Sequence, residues 1–210
     1  MPFIYDPKLK GSGYRDTVTG RALSYRTVRQ QIGEMIQASQ DVQRPLSEMV
    51  ANGTISPGSW NQAVRQEIKD NYITQYLLGK GGRENMTQAD WGSVGGMLGE
   101  QYRYLNDFYD EVAAGNLTEG QIYARAQMYI NSSREAYETA LRREVPNRGY
   151  TSHRWVLSAT ENCADCLALA GEGWKDATEP FVSPSTGVET VPGSGDTLCL
   201  TNCKCNIEYR

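Results

Sequence analysis

The chain has 210 residues, room for one medium domain or two small ones. Hydrophobic residues make up 39% and charged residues 22%, which excludes wholesale disorder. The net charge of -4 argues against a generic nucleic-acid binder.

The charge is uneven. Residues 150–210 carry four basic against eight acidic side chains, and the rest of the chain is balanced. All five cysteines lie in that same segment. Three regions are therefore expected: an extended N-terminal arm over 1–23, a helical domain over 24–149, and a cysteine-rich module over 150–210. No window approaches the roughly 20 apolar residues of a membrane span. Met1-Pro2-Phe3-Ile4-Tyr5-Asp6 lacks the basic and apolar regions of a secretory signal. A reducing cytosol is the expected site of synthesis, and clustered cysteines there are more often metal ligands or redox groups than disulfides.

In the arm, Lys10-Gly11-Ser12-Gly13 is a flexible stretch and Tyr14 to Arg21 reads as a tight hairpin or turn. Asp16 can accept from amides ahead of it, and Gly20 supplies a positive φ. Ser24 is a fitting cap for a first helix that runs to Ala51, with Val28, Ile32, Met35 and Ile36 at helical spacing. Pro45 is expected to kink or split it. Ser56-Pro57 starts a second helix, whose face carries Trp60, Val64, Ile68, Tyr72 and Tyr76 and which stops at the Gly79 and Gly81-Gly82 signals.

Thr87, with Asp90 as its capping-box partner, opens a third helix that reaches Ala114. Gly92, Gly95, Gly96 and Gly99 share one side of it. Two readings are open: a smooth face for close helix approach, or a broken start with true helix only from Leu98. Thr118 and Gln121 cap a fourth helix expected to run unbroken to Arg143, roughly 39 Å of rod. Pro146 to Gly149 is then a linker. The 13 tyrosines sit mostly at helical spacing and read as half-buried packing groups, since no basic residues interleave with them as in a single-strand binder.

Beyond residue 150, Arg154 to Ala159, Gly187 to Val191 and Asn206 to Tyr209 read as short strands, and Leu167 to Ala170 as one helical turn. So small a segment, rich in Pro, Gly and Ser, needs a staple. The cysteines offer one: Cys163-Ala164-Asp165-Cys166, and then Cys199-Leu200-Thr201-Asn202-Cys203-Lys204-Cys205. A C-x-x-C knuckle followed by a second cluster is a common spacing for a structural zinc, whose borderline-soft ion four thiolates enclose. Cys163 and Cys166 are the firmest candidate ligands and Cys203 the next; the fourth is Cys205 or Cys199. The expectation is one Zn2+ on four of the five.

A thioredoxin-like pair at Cys163/Cys166 is an alternative, but it leaves the second cluster without a role. Disulfides would leave one cysteine over. A deaminase-type catalytic zinc would need an H-x-E motif, and the single histidine, His153, is followed by Arg154-Trp155. His153 is expected to be a surface or packing residue. The acidic balance of the module, made more negative by a tetrathiolate zinc, argues against DNA binding and for a folding device or protein-docking knob. The expected fold class is mainly α: long antiparallel helices followed by a small zinc-stabilised α+β module.

The stretch from Leu117 to Tyr129, Cys163-Ala164-Asp165-Cys166-Leu167-Ala168-Leu169 and the closing Cys199-to-Cys205 cluster together resemble the minor head (head morphogenesis) proteins of tailed bacteriophages. That group is related to the F protein of phage Mu. It pairs a helical N-terminal region with C-x-x-C-x-x-L and a terminal H-x-x-C-[RK]-C. The likeness in architecture covers most of the chain, and the specific identities lie in about its last 50 residues. Here Leu200 stands in the place of the family histidine and Cys199 lies one residue upstream, so all five cysteines are carried as candidates.

The resemblance implies a non-enzymatic virion component, made in the host cytoplasm and located in the head interior or at the portal vertex. Portal, major capsid or scaffold protein would be its partners, with incidental contact to packaged DNA and self-association in the virion. The effector domains that some relatives carry after this region are not expected. A thiol redox protein and a zinc-stabilised regulatory interaction protein are the rival readings.

Overall fold

The computed structural model describes residues 1–159 and 161–210 and is mainly helical, with small antiparallel sheets. The N-terminal stretch is not free-standing. Strands β1 (Phe3–Tyr5) and β2 (Tyr14–Asp16) pair antiparallel, and Phe3 and Tyr14 are fully buried edge to face at 5.0 Å. Two aromatic rings removed from water supply several kcal/mol, enough to dock a strand pair that is marginal alone. The expected turn is present: Asp16 Oδ1 accepts from the amides of Val18 and Thr19 at 2.9 and 2.6 Å.

Helix α1 (Tyr25–Ala51) is capped by Ser24, whose hydroxyl accepts from the Thr27 amide. It passes through Pro45 without splitting. Val28, Ile32, Ile36 and Val50, on both sides of the proline, are buried in one core, so packing holds the helix where propensity would break it. Helix α2 (Pro57–Lys80) is capped by Ser56 and ended by Gly81 in the left-handed region. Gly79 is not a stop signal. It lies inside α2, where a Cβ would meet the Tyr137 carbonyl oxygen at 2.4 Å and Ala140 Cβ at 2.7 Å.

Helix α3 (Gln88–Ala113) carries the expected capping box of Thr87 and Asp90. Its four glycines are helical from the start, which removes the broken-start reading. Among the described residues nothing approaches them, since a Cβ at any of the four would meet nothing within 4 Å.

The long fourth rod is two helices, α4 (Glu119–Asn131) and α5 (Ser133–Arg148). The hydroxyls of Ser132 and Ser133 bond back to the carbonyls of Tyr129 and Ile130 at 2.9 and 2.7 Å, and Ser132 Oγ also accepts a hydrogen bond from the Tyr72 hydroxyl. Such back-bonding competes with the helical ladder and bends it. Helix α5 continues through Pro146, so the linker shrinks to the left-handed cap Gly149. Helix α2 packs mainly against α5, and α1 against α4.

After Gly149, strand β3 (Ser152–Val156) lies between β4 (Lys175–Asp176) and β7 (Asn206–Tyr209) in an antiparallel sheet, with Trp155 opposite Ile207. Helix α6 (Ala164–Gly171) is two turns rather than one. The two-residue strands β5 (Phe181–Val182) and β6 (Glu189–Thr190) form a small hairpin. The core is continuous from the helices into this module. Tyr25 of α1 donates to the Tyr209 carbonyl at 2.8 Å, and Arg29 pairs with Glu208 at 2.7 Å.

A candidate metal centre

The five cysteines come from three short segments. Cys163 precedes α6 and Cys166 sits in its first turn. Cys199 and Cys203 flank a tight 3-10 turn over Leu200–Asn202, and Cys205 directly precedes β7. The turn is strained: Leu200 has φ 52°, a conformation costly for a branched side chain, and it is half exposed. The Leu200 side chain therefore faces solvent, while the sulfur of the preceding Cys199 is turned towards Cys166.

The fold brings all five thiols together around Cys166. Its sulfur lies 3.7 Å from that of Cys199 and 3.6 Å from that of Cys203. Cys163, Cys166 and Cys199 form one triad and Cys166, Cys203 and Cys205 another, with the sulfurs of each triad within 4.8 Å of one another. A disulfide would place two sulfurs about 2.05 Å apart. Two ligands on one tetrahedral zinc, each about 2.3 Å from the ion, stand about 3.8 Å apart. The observed separations are those of co-ligands, and all five cysteines are free thiols.

The protonation pattern follows from crowding. Hydrogen bonding to Cys203 and Cys205, then burial, pushes the Cys166 thiol far up. The bonds from Cys166 and Cys203 draw Cys205 down to about 3. Burial opposes ionisation of Cys163, but the amide of Cys166 and the neighbouring thiols lower it overall. A bound metal ion would take thiolates as ligands and so displace their protons.

Two supporting residues were not singled out in the sequence. Asp165, between the knuckle cysteines, accepts on Oδ2 from the Leu198 amide at 2.9 Å and the Ser185 hydroxyl at 2.6 Å. It ties α6 to the loop that delivers Cys199. Arg134 of α5 is 7% exposed and has no carboxylate within 4 Å among the described residues. Its Nη1 donates to Asn206, beside Cys205, and it lines a cleft of about 150 Å³ together with Cys203. Glu138, one turn along, is fully buried, and burial raises its carboxyl to about 8 against the lowering pull of Arg134. Arg134 thus brings a buried positive charge towards the thiol cluster. Its place in the pattern Ile130, Arg134, Tyr137, Leu141 was the available signal: an arginine on the apolar face of a helix.

His153 is a packing residue. It is 1% exposed, stacks on Phe181 at 4.5 Å, and burial followed by Lys175 and Arg142 lowers it to about 4. No helix among the described residues is long and apolar enough to cross a membrane. No protein-family model matches the chain, and neither does a curated protein or a solved structure. What defines the protein is its own geometry: a mainly helical chain ending in a small module whose cysteine cluster can hold a metal ion.

Proposed function

We propose that this chain is a non-enzymatic minor head protein of a tailed phage, with a C-terminal module stapled by a zinc–thiolate centre. The observation that carries the zinc reading is the convergence of Cys163, Cys166, Cys199, Cys203 and Cys205 from three segments, with the charge of Arg134 turned towards them. A buried guanidinium is stabilised by nearby anions, and beside Glu138 the thiols Cys203 and Cys205 act on Arg134 in that sense; a zinc tetrathiolate is anionic. Small modules commonly fold only with such an ion.

The head-protein reading rests on the motif resemblance and on the module's surface. Leu157, Leu167, Val182, Val188, Leu198 and Leu200 are exposed, six of the eleven exposed large hydrophobic residues among those described. An apolar and acidic surface suits docking to a protein better than to DNA. Portal, capsid or scaffold protein in the virion head is the proposed partner.

The rival redox reading has one observation in its favour: Cys163 stands at the start of a helix with a lowered thiol. Metal analysis of the purified, reduced protein separates the two. Bound zinc, and loss of module structure on chelation with α-helical signal retained, support the staple. A metal-free protein whose Cys163 reacts fast at neutral pH supports redox chemistry. Co-expression with phage portal, scaffold and capsid proteins tests the partner, and failure to co-purify with any of them removes the head-protein reading.

A further inference from the structure

A single tetrahedral ion needs four sulfurs that are all mutual neighbours. Among the described residues the thiols do not form such a set. They form two triangles that meet at Cys166, and no fourth sulfur lies within 4.8 Å of all members of either. Each triangle also has an oxygen beside it. Thr197 Oγ1 lies 3.3 Å from the Cys199 sulfur, and Asn162 Oδ1 lies 3.3 Å from the Cys205 sulfur.

We propose that the module binds two zinc ions bridged by the Cys166 thiolate, one held with Cys163 and Cys199 and the other with Cys203 and Cys205. The proposal rests on the metal-centre reading above and changes its number and geometry. Three thiolates would hold each ion and leave its fourth position to a water molecule or another ligand. Thiolates bridge such ions readily, because a soft sulfur keeps electron pairs to share after binding the first.

Charge favours the pair. One zinc on four thiolates leaves two uncompensated negative charges in a largely buried site, and the fifth thiol is idle. Two zincs on five thiolates leave one negative charge, near the buried guanidinium of Arg134. The cluster with the smaller net charge is the cheaper one to bury. The arrangement also gives the surplus cysteine a role, and it gives Cys166, the most enclosed member of the half-buried triad, the one position both ions need.

The test uses the full-length reduced protein titrated with Zn2+ alone, then with Co2+, and read by native mass spectrometry and electron paramagnetic resonance. Two ions per chain are expected. The first equivalent of Co2+ should give a high-spin signal that the second suppresses through exchange across the shared sulfur. Cys199→Ser and Cys205→Ser should each retain one ion, and Cys166→Ser should lose both. If Cys166→Ser does not fold, the other two variants still decide the matter. One ion per chain overturns the pair while leaving a zinc staple standing, and so does a variant at Cys199 or Cys205 that binds as much metal as the parent. Two ions with full, additive cobalt signals overturn the bridge. No bound metal at all overturns the metal centre itself.

Discussion

Arg134 Nη1 donates to Asn206 Oδ1 at 3.3 Å, and this bond joins the first turn of α5 to the residue that follows the last cysteine. The helical body thus reaches into the cysteine module with a charge. At the same place Gly193, with φ 89°, packs so closely that a Cβ on it would stand 3.0 Å from Arg134 Cβ. The module is seated on α5 rather than hung from it.

Replacing Arg134 by Met keeps the stem and removes the charge. Supporting residues around a metal site change affinity by about 10- to 100-fold. Arg134→Met should weaken zinc retention by roughly tenfold or more against a competing chelator. Unchanged retention would show that the guanidinium does not answer the thiolates.

Gly79 is the contact point of α2 and α5. Gly79→Ala puts a methyl group 2.4 Å from a helical carbonyl oxygen that cannot move alone. Overpacking of this kind costs about 1–3 kcal/mol, so thermal or urea unfolding should shift clearly downwards. A neutral result would mean that the two helices lie further apart.

The glycines of α3 predict the opposite sign. Gly95 and Gly96 face open space, and alanine is about 1 kcal/mol better than glycine in a helix interior. The double variant Gly95→Ala/Gly96→Ala should raise the unfolding midpoint of the isolated chain. A lower midpoint would reveal a contact on that face.

Asp90 sets part of the acid limb of stability. Burial opposes its ionisation, but the Thr87 hydroxyl and amide, then Lys80 and Tyr76, hold the carboxyl far below the usual carboxylate range. A depressed folded-state value means stability that is full above about pH 4 and is lost as pH falls further. Asp90→Asn should therefore destabilise by about 1–3 kcal/mol at pH 7 and flatten the loss below pH 4. Denaturant midpoints measured from pH 2 to 8 check both statements.

Glu135 carries the reverse sign. Burial, then the charges of Asp196 and Glu100, raise its carboxyl to about 8 from 4.5. The folded state holds the proton more tightly than the unfolded one, so this residue subtracts stability progressively as pH rises from about 4.5 to about 8. Glu135→Gln should make the protein more stable than the parent at pH 8 and little different at pH 4.5. Identical pH profiles for the two proteins would show that the carboxyl is not held in a desolvated site.

The helical signals in the chain are local, and they survive folding. Ser24, Ser56, Thr87 and Thr118 each cap the helix that follows them, because a side-chain oxygen and an amide three residues on need nothing else. Where local rules met tertiary packing, packing decided. Pro45 stays inside α1 because the apolar stripe on both sides of it is buried. Ser132 breaks a rod that shows an unbroken apolar period, because its hydroxyl is recruited by Tyr72 of another helix. Phe3 and Tyr14 turn an apparent arm into part of the core through a partner, α2, that lies far along the chain.

The sulfur site divides in the same way. Spacing alone identified five candidate ligands, since thiols repeated at short intervals in a small, coreless, acidic segment have few other uses. It could not say how they group. The crossing of α6 with the Leu200 turn puts Cys166 between two triads, and the packing of α5 supplies Arg134 from a segment whose sequence carries no sign of a metal. Ligand identity is a property of side-chain chemistry, legible one residue at a time. Ligand grouping and counter-charge are properties of where distant segments meet, and only the folded chain decides that.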